Sequence, residues 1–161
     1  MITSYIAIGS NLSDPVAQTK LAIEALKKLP RSVFVKASML YSSTPMGPQN
    51  QPDYINAVVE IATELKPLEL LDQTQLIENA HGRVRKNERW GPRTLDLDII
   101  LYGDHVMNSE RLTIPHYGMR AREFVLYPLA EIAPDLTLPD GMPLQRLLES
   151  VERNGLSVWQ Q

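Results

Sequence analysis

The chain has 161 residues, 43% hydrophobic and 22% charged, a balance that suits a folded protein with its own core and excludes a disordered one. Its formal net charge of −3 excludes a general affinity for polyanions such as duplex DNA. It has no cysteine, which excludes disulfides, thiolate nucleophiles and cysteine-based zinc sites, so any metal must be held by oxygen or imidazole.

One domain over residues 1–161 is expected. No apolar run approaches the roughly 20 residues needed to span a bilayer, and "MITSYIAIGS" lacks the basic start and apolar stretch of a signal peptide. A cytoplasmic location is therefore expected. In chain order, "SYIAIGS" alternates and ends in a turn, which predicts a first strand. Asp14 before Pro15 is a cap and first-turn pair. Val16, Ala22, Ile23, Leu26 and Leu29 then share one side of a helix that Pro30 stops.

"SVFVKASMLY" predicts a second strand and "YINAVVEIAT" a third, with Ile55, Ala57, Val59 and Ile61 on one face and Asn56, Val58 and Glu60 on the other. The Pro-, Gly- and Ser-rich "SSTPMGPQNQPD" between them is too long for a tight hairpin, and such loops are commonly functional. Pro67 opens a second helix running to about His81, where Gly82 is placed to end it. "TLDLDIILYG" is a fourth strand, and the following "GD" allows a hairpin into "HVMNSERLTI". Helical segments follow, interrupted at Pro128, Pro134 and Pro139. The order strand, helix, strand, strand, helix, strand predicts an α+β fold, a βαββαβ core with two helices on one face of an antiparallel sheet, plus a C-terminal hairpin and helical additions.

The chemistry is concentrated around the fourth strand. A period of two puts Asp96 and Asp98 on one face and Leu95, Leu97 and Ile99 on the other. Two carboxylates roughly 7 Å apart repel one another unless a cation lies between them. Mg²⁺ suits this pair, since it takes one or two carboxylates and completes its shell with water and phosphate oxygens. Just upstream, Arg83, Arg85, Lys86, Arg89 and Arg93 face the single negative Glu88. Paired aspartates beside clustered cations form the layout expected for a polyphosphate. No Walker-type motif is present, and "IGSN" alone is too short to cradle phosphates. Downstream, Arg111, Tyr117, Arg120, Arg122 and Phe124 add cationic and aromatic groups. His116 reads as a general base, a phosphate ligand or a packed loop histidine, with its neighbours Arg111 and Arg122 favouring the phosphate ligand. Gln75 and Glu78 share a helix face, and Tyr54 and Asn56 share a strand face; each pair suits a ligand or a plain polar surface equally well.

Four blocks, "YIAIGSNL", "GPQNQPDYINAV", "GRVRKNERWGPRTLDLDIILYG" and "RLTIPHYGMRAREFVLYPLAEIAP", resemble in order and spacing the 6-hydroxymethyl-7,8-dihydropterin pyrophosphokinase family of folate biosynthesis. The resemblance implies a ferredoxin-like core and transfer of the pyrophosphoryl group of ATP to the pterin hydroxymethyl group, releasing AMP. It implies that Asp96 and Asp98 bind two Mg²⁺ ions and that Arg83 and Arg93 serve the transition state. Gln75, Glu78, Arg85, Trp90, Arg93 and Ile99 would lie around ATP, with Arg111, Thr113, His116, Tyr117 and Arg122. Tyr54 and Phe124 would sandwich the pterin, with Asn56, Ser43, Pro45 and Met46 at its edge and Trp90 and Asp96 alongside. ATP and a pterin alcohol are the expected partners of a monomer, with no nucleic acid and no membrane. A single-stranded RNA-binding module would call for a basic balance and sheet aromatics instead of aspartates. A nucleotidyltransferase also uses paired aspartates and Mg²⁺, but releases pyrophosphate.

Overall fold

The computed structural model describes residues 1–11, 14–43, 53–81 and 95–160. Its central strand is β1 (Ile2–Ser10), which pairs antiparallel with β4 (Tyr54–Thr63) on one side and β5 (Asp96–Tyr102) on the other. The far edge of β4 is shared by two strands. β2 (Ser32–Ala37) runs along its Thr63 end, and β3 (Tyr41–Ser43) along its Tyr54 end. With α1 (Pro15–Leu26) and α2 (Pro67–Ala80), these strands give the βαββαβ order predicted once β2 and β3, which share one edge of β4, are counted as one position.

Alternation along the strands builds a core on each face of the sheet. Ile6, Ile8, Val59, Ile61, Leu97 and Ile99 meet Ala22 and Leu26 of α1 and Leu70 of α2. Tyr5, Ala7, Val58 and Ile100 face the other way, against Val125, Leu126 and Leu129 of α3 (Glu123–Ile132) and Leu144 of α4 (Leu144–Ser150). Asp14 caps α1 by accepting from the Ala17 N–H at 3.2 Å, as its position before Pro15 predicts. No helix among the described residues is long and apolar enough to cross a membrane.

Three expectations about elements change, and one element is new. The predicted second strand is two strands, because Ser38 interrupts the ladder: its N–H donates to the Val58 carbonyl at 2.8 Å while its hydroxyl accepts from the Val58 N–H at 2.9 Å. The predicted hairpin does not fold back on β5. Instead β6 (Met107–Asn108) pairs with β7 (Thr113–Ile114) in a separate ribbon, after Gly103 turns at φ 53° and donates to the Thr3 carbonyl. Pro128 lies inside α3 instead of interrupting it; burial of Val125, Leu126, Leu129 and Ile132 on both sides outweighs one lost backbone bond. Finally, β8 (Ser157–Val158), which no periodicity announced, extends the sheet beyond β3 and is fastened by the Trp159 N–H to the Leu40 carbonyl at 2.8 Å.

One irregularity bears on the site. Tyr5 lies opposite Leu101 and Ile6 opposite Ile99, leaving Ile100 unopposed in a β-bulge. The bulge turns both Ile100 and Leu101 toward α3 and returns Tyr102 to the face of α1 and α2.

Candidate active site

The parity of β5 decides where its carboxylates go. Leu97 and Ile99 are buried beneath α2, so Asp96 and Asp98 project from the opposite face, as the spacing predicts. Across the sheet, Asp96 lies opposite Gly9, and Gly9 lies opposite Asn56. Asp98 is likewise aligned with Ala7 and Val58. The central strand therefore carries small residues beside both aspartates, with Gly9 between Asp96 and Asn56.

A cavity of about 260 Å³ opens over this row. Tyr54 and Ser43, paired across β3 and β4, bound one side, and Phe124, Arg122 and Val125 from the start of α3 bound another. Asn56, only 3% exposed, donates from Nδ2 to the Ser43 hydroxyl at 2.7 Å, which fixes its amide orientation. The lining combines aromatic rings with a few fixed polar groups, the character of a site for a flat heterocycle.

A second cavity, of about 370 Å³, lies between α2, β5 and the β6–β7 ribbon. Gln75, Glu78, Ile99, Arg111, Thr113 and Tyr117 line it. Glu78 is buried, 5% exposed, and its Oε2 accepts from the Leu97 N–H at 2.8 Å, a bond landing between the two aspartates. Arg111 donates to Asp72 Oδ1 at 2.6 Å and to Gln75 Oε1 at 3.3 Å. Both partners of the Arg111–Asp72 ion pair are about half exposed, so the pair contributes little and is readily exchanged for another anion.

Asp96, Asp98 and His116 line both cavities. His116 follows Pro115 and is tied to the bulge by its backbone N–H, which donates to the Ile100 carbonyl at 3.0 Å. The Gly118 N–H donates to His116 Nδ1 at 3.1 Å, so the proton of the neutral ring is on Nε2, which lies 3.9 Å from Asp98 Oδ2. Burial holds the imidazole below its ordinary pKa; Asp98 opposes that effect and Arg122 adds to it. Tyr117, 80% exposed, stacks on the imidazole at 4.7 Å between centroids. The Arg122 guanidinium stands over both Tyr117 and Phe124, at 5.7 and 5.8 Å, and so joins a ring of one cavity to a ring of the other.

Of the residues predicted from sequence, Asp96, Asp98, Ser43, Tyr54, Asn56 and Phe124 converge on the first cavity. Gln75, Glu78, Ile99, Arg111, Thr113 and Tyr117 converge on the second, and His116 and Arg122 stand at the seam. Pro45, Met46, Arg83, Arg85, Trp90 and Arg93 lie outside the described residues. Among the described residues, no three His, Asp or Glu side chains gather as a metal cage. Among the described residues, the pair Asp96 and Asp98 is the candidate donor set, and two carboxylates fit a hard ion that takes its remaining oxygens from phosphate and water. Sequence reasoning missed Gly9 and Ala7, whose contribution is the absence of a large side chain, and missed Asp72 as the partner of Arg111.

Residues 5–134 match the family model described as 7,8-dihydro-6-hydroxymethylpterin-pyrophosphokinase. The chain belongs to this family. A 2-amino-4-hydroxy-6-hydroxymethyldihydropteridine pyrophosphokinase of Haemophilus influenzae is 56% identical over 92% of this chain and 92% of its own length. One from Pseudomonas aeruginosa is 51% identical over 94% of this chain and 93% of its own. The folic acid synthesis protein of Schizosaccharomyces pombe is 40% identical over 97% of this chain but only 21% of itself. Among solved structures, the wild-type HPPK-DHPS of Plasmodium falciparum superposes with a TM-score of 0.72 at 13% identity, covering 92% of this chain and 44% of that one. An HPPK-DHPS in complex with substrates gives 0.71 at 11%. The chain thus spans about half the length of the solved chains it matches, and the likeness is one of fold, the ferredoxin-like architecture of the βαββαβ order. Family membership makes the chain an enzyme, a pyrophosphokinase of folate biosynthesis.

Proposed function

We propose that this pyrophosphokinase transfers the β,γ-pyrophosphoryl group of ATP to the hydroxymethyl oxygen of 6-hydroxymethyl-7,8-dihydropterin, with Mg²⁺, releasing AMP. The observation that carries the reading is the wall of Asp96, Asp98 and His116 shared by an aromatic cavity and a polar one. A heterocycle seated in the first brings its alcohol to that wall, and a triphosphate seated in the second brings its β-phosphorus to the same wall.

The roles follow from the chemistry of each group. Tyr54 and Phe124 hold the pterin ring, with Asn56 and Ser43 bonding its edge. Gln75, Glu78, Ile99, Thr113 and Tyr117 surround the nucleotide. Arg111 exchanges Asp72 for a phosphate oxygen, and His116 donates its Nε2 proton to another. Arg122, over the rings of both cavities, aligns the two substrates. The family resemblance assigns Arg83, Arg85, Trp90 and Arg93 to the nucleotide and transition state, and Pro45 and Met46 to the pterin. Asp96 and Asp98 would hold two Mg²⁺ ions, which, when bound, neutralise phosphate charge and acidify the alcohol. In the transfer, the alcohol oxygen forms a bond to the β-phosphorus. The bond from that phosphorus to the oxygen shared with the α-phosphate breaks, and AMP departs with that oxygen; the hydroxyl proton is released. Alignment of the two substrates supplies much of the acceleration.

Incubation with ATP, Mg²⁺ and the pterin alcohol tests the reading. AMP and a pyrophosphorylated pterin are expected only when all three are present. Release of ADP or of free pyrophosphate would overturn it, as would full activity in the presence of a chelator.

A further inference from the structure

Gly9 is the one residue in the row Asp96–Gly9–Asn56 with no side chain, and it lies in the middle of that row. Adjacent strands are separated by about 4.8 Å, so the flanking functional residues arise about 10 Å apart with only main chain between them. The next residue of β1 on the same face is Ala7, so the low floor continues toward Asp98. Gly9 is not required by the turn of the backbone: it lies within the regular ladder of β1, and no positive φ distinguishes it. Nor is it required by crowding among the described residues. A methyl group at Gly9 would meet Asn56 Oδ1 at 3.6 Å and Tyr54 Cδ1 at 3.9 Å, ordinary van der Waals distances.

The fold therefore accepts alanine at residue 9, and alanine ordinarily strengthens a strand relative to glycine. What the methyl group would occupy is the space of the first cavity, between the ring of Tyr54 and the amide of Asn56. We infer that Gly9 is a specificity-determining residue for the pterin: its bare Cα is the floor against which the flat bicycle lies between Tyr54 and Asp96. This rests on the reading above, that the first cavity takes the pterin. It assigns to the glycine of "IGSN" a steric function toward the heterocycle and none toward phosphate.

The test compares Gly9→Ala with Asn56→Ala in the full chain, measuring thermal midpoint, ATP binding in Mg²⁺, pterin-alcohol binding by the pterin's own fluorescence, and KM against kcat. A single extra methyl group in a close-fitting pocket changes binding by about 10- to 200-fold. For Gly9→Ala the expected result is an unchanged or slightly raised midpoint, ATP affinity within about twofold of the parent, and a pterin dissociation constant and KM raised at least about tenfold. Parent-like pterin binding in Gly9→Ala, with weakened binding in Asn56→Ala, would overturn the inference and leave the site assignment standing. Parent-like binding in both would overturn the site assignment as well. A lowered midpoint or lost ATP binding in Gly9→Ala would also overturn the inference, by showing that the glycine serves the fold.

Discussion

From Asp96 to Ile100 the two faces of β5 are made by alternate residues, yet they do unlike work. Leu97 and Ile99 are sealed against α1 and α2, while Asp96 and Asp98, one peptide away on either side of Leu97, stand at the wall between two cavities. The difference shows how a carboxylate pair is held still without helices of its own. The apolar parity of the strand anchors it, and the anchored strand aims the polar parity. On the α3 side, the helix covers Val58 and Ile100 but stops short of the row that contains Gly9, so that half of the face remains available to ligands.

Substitutions on the two parities should separate cleanly. Asp98→Ala should lower turnover by about 10³-fold or more, the scale of losing a charge-stabilising group at a phosphoryl-transfer centre. Because Asp98 is exposed, its thermal midpoint should stay at or slightly above that of the parent; near-normal turnover would remove Asp98 from the chemistry. Leu97→Ala should do the opposite. A buried leucine in this setting costs about 2–5 kcal/mol when truncated, so urea unfolding should show a large loss of stability, with activity falling because the strand loosens.

Glu78→Ala probes the link between the parities, since its carboxylate accepts the Leu97 N–H. Leaving that buried donor without an acceptor costs about 1–3 kcal/mol. Glu78→Gln, which keeps an acceptor, should recover most of that stability in denaturant titrations.

A smaller effect should come from His116. Its folded pKa is depressed, so near pH 6 the unfolded chain binds more protons than the folded one, and stability rises with pH. The contribution is complete above the ordinary histidine value of about 6.5 and is lost as pH falls through the lower folded value. Thermal midpoints of the metal-free parent and of His116→Asn should therefore converge as pH is lowered from about 7.5 to about 5; a gap that widens in acid would contradict the burial argument. The smallest effect is expected for Asp72→Ala. Loss of this half-exposed pair should change stability by less than about 1 kcal/mol, while releasing Arg111 and modestly tightening ATP binding, read by calorimetry.

Much of the frame was legible in sequence because its periods are local. The alternation of "TLDLDIILYG" assigned Asp96 and Asp98 to a common face, and Asp14 before Pro15 marked the start of α1. Elements whose stability comes from distant partners were not legible. Ser38 splits a strand through bonds to Val58, β8 exists because Tyr41 and Ser42 offer an edge, and Pro128 is tolerated because α3 is buried on the sheet. The motif blocks pointed to the family, which the relatives then established, but they said nothing of why a glycine stands in the middle of the site.

Sequence by itself determined the fold class, the shared face of the two aspartates and the family, since each is written in residue type and short-range spacing. Only the tertiary structure decided that His116 hangs from a bulge in β5, that Asp72 occupies Arg111, and that Gly9 lies between Asp96 and Asn56. Those relations depend on strand register and on which groups meet from separate elements of the chain, and no local pattern of side chains encodes a register.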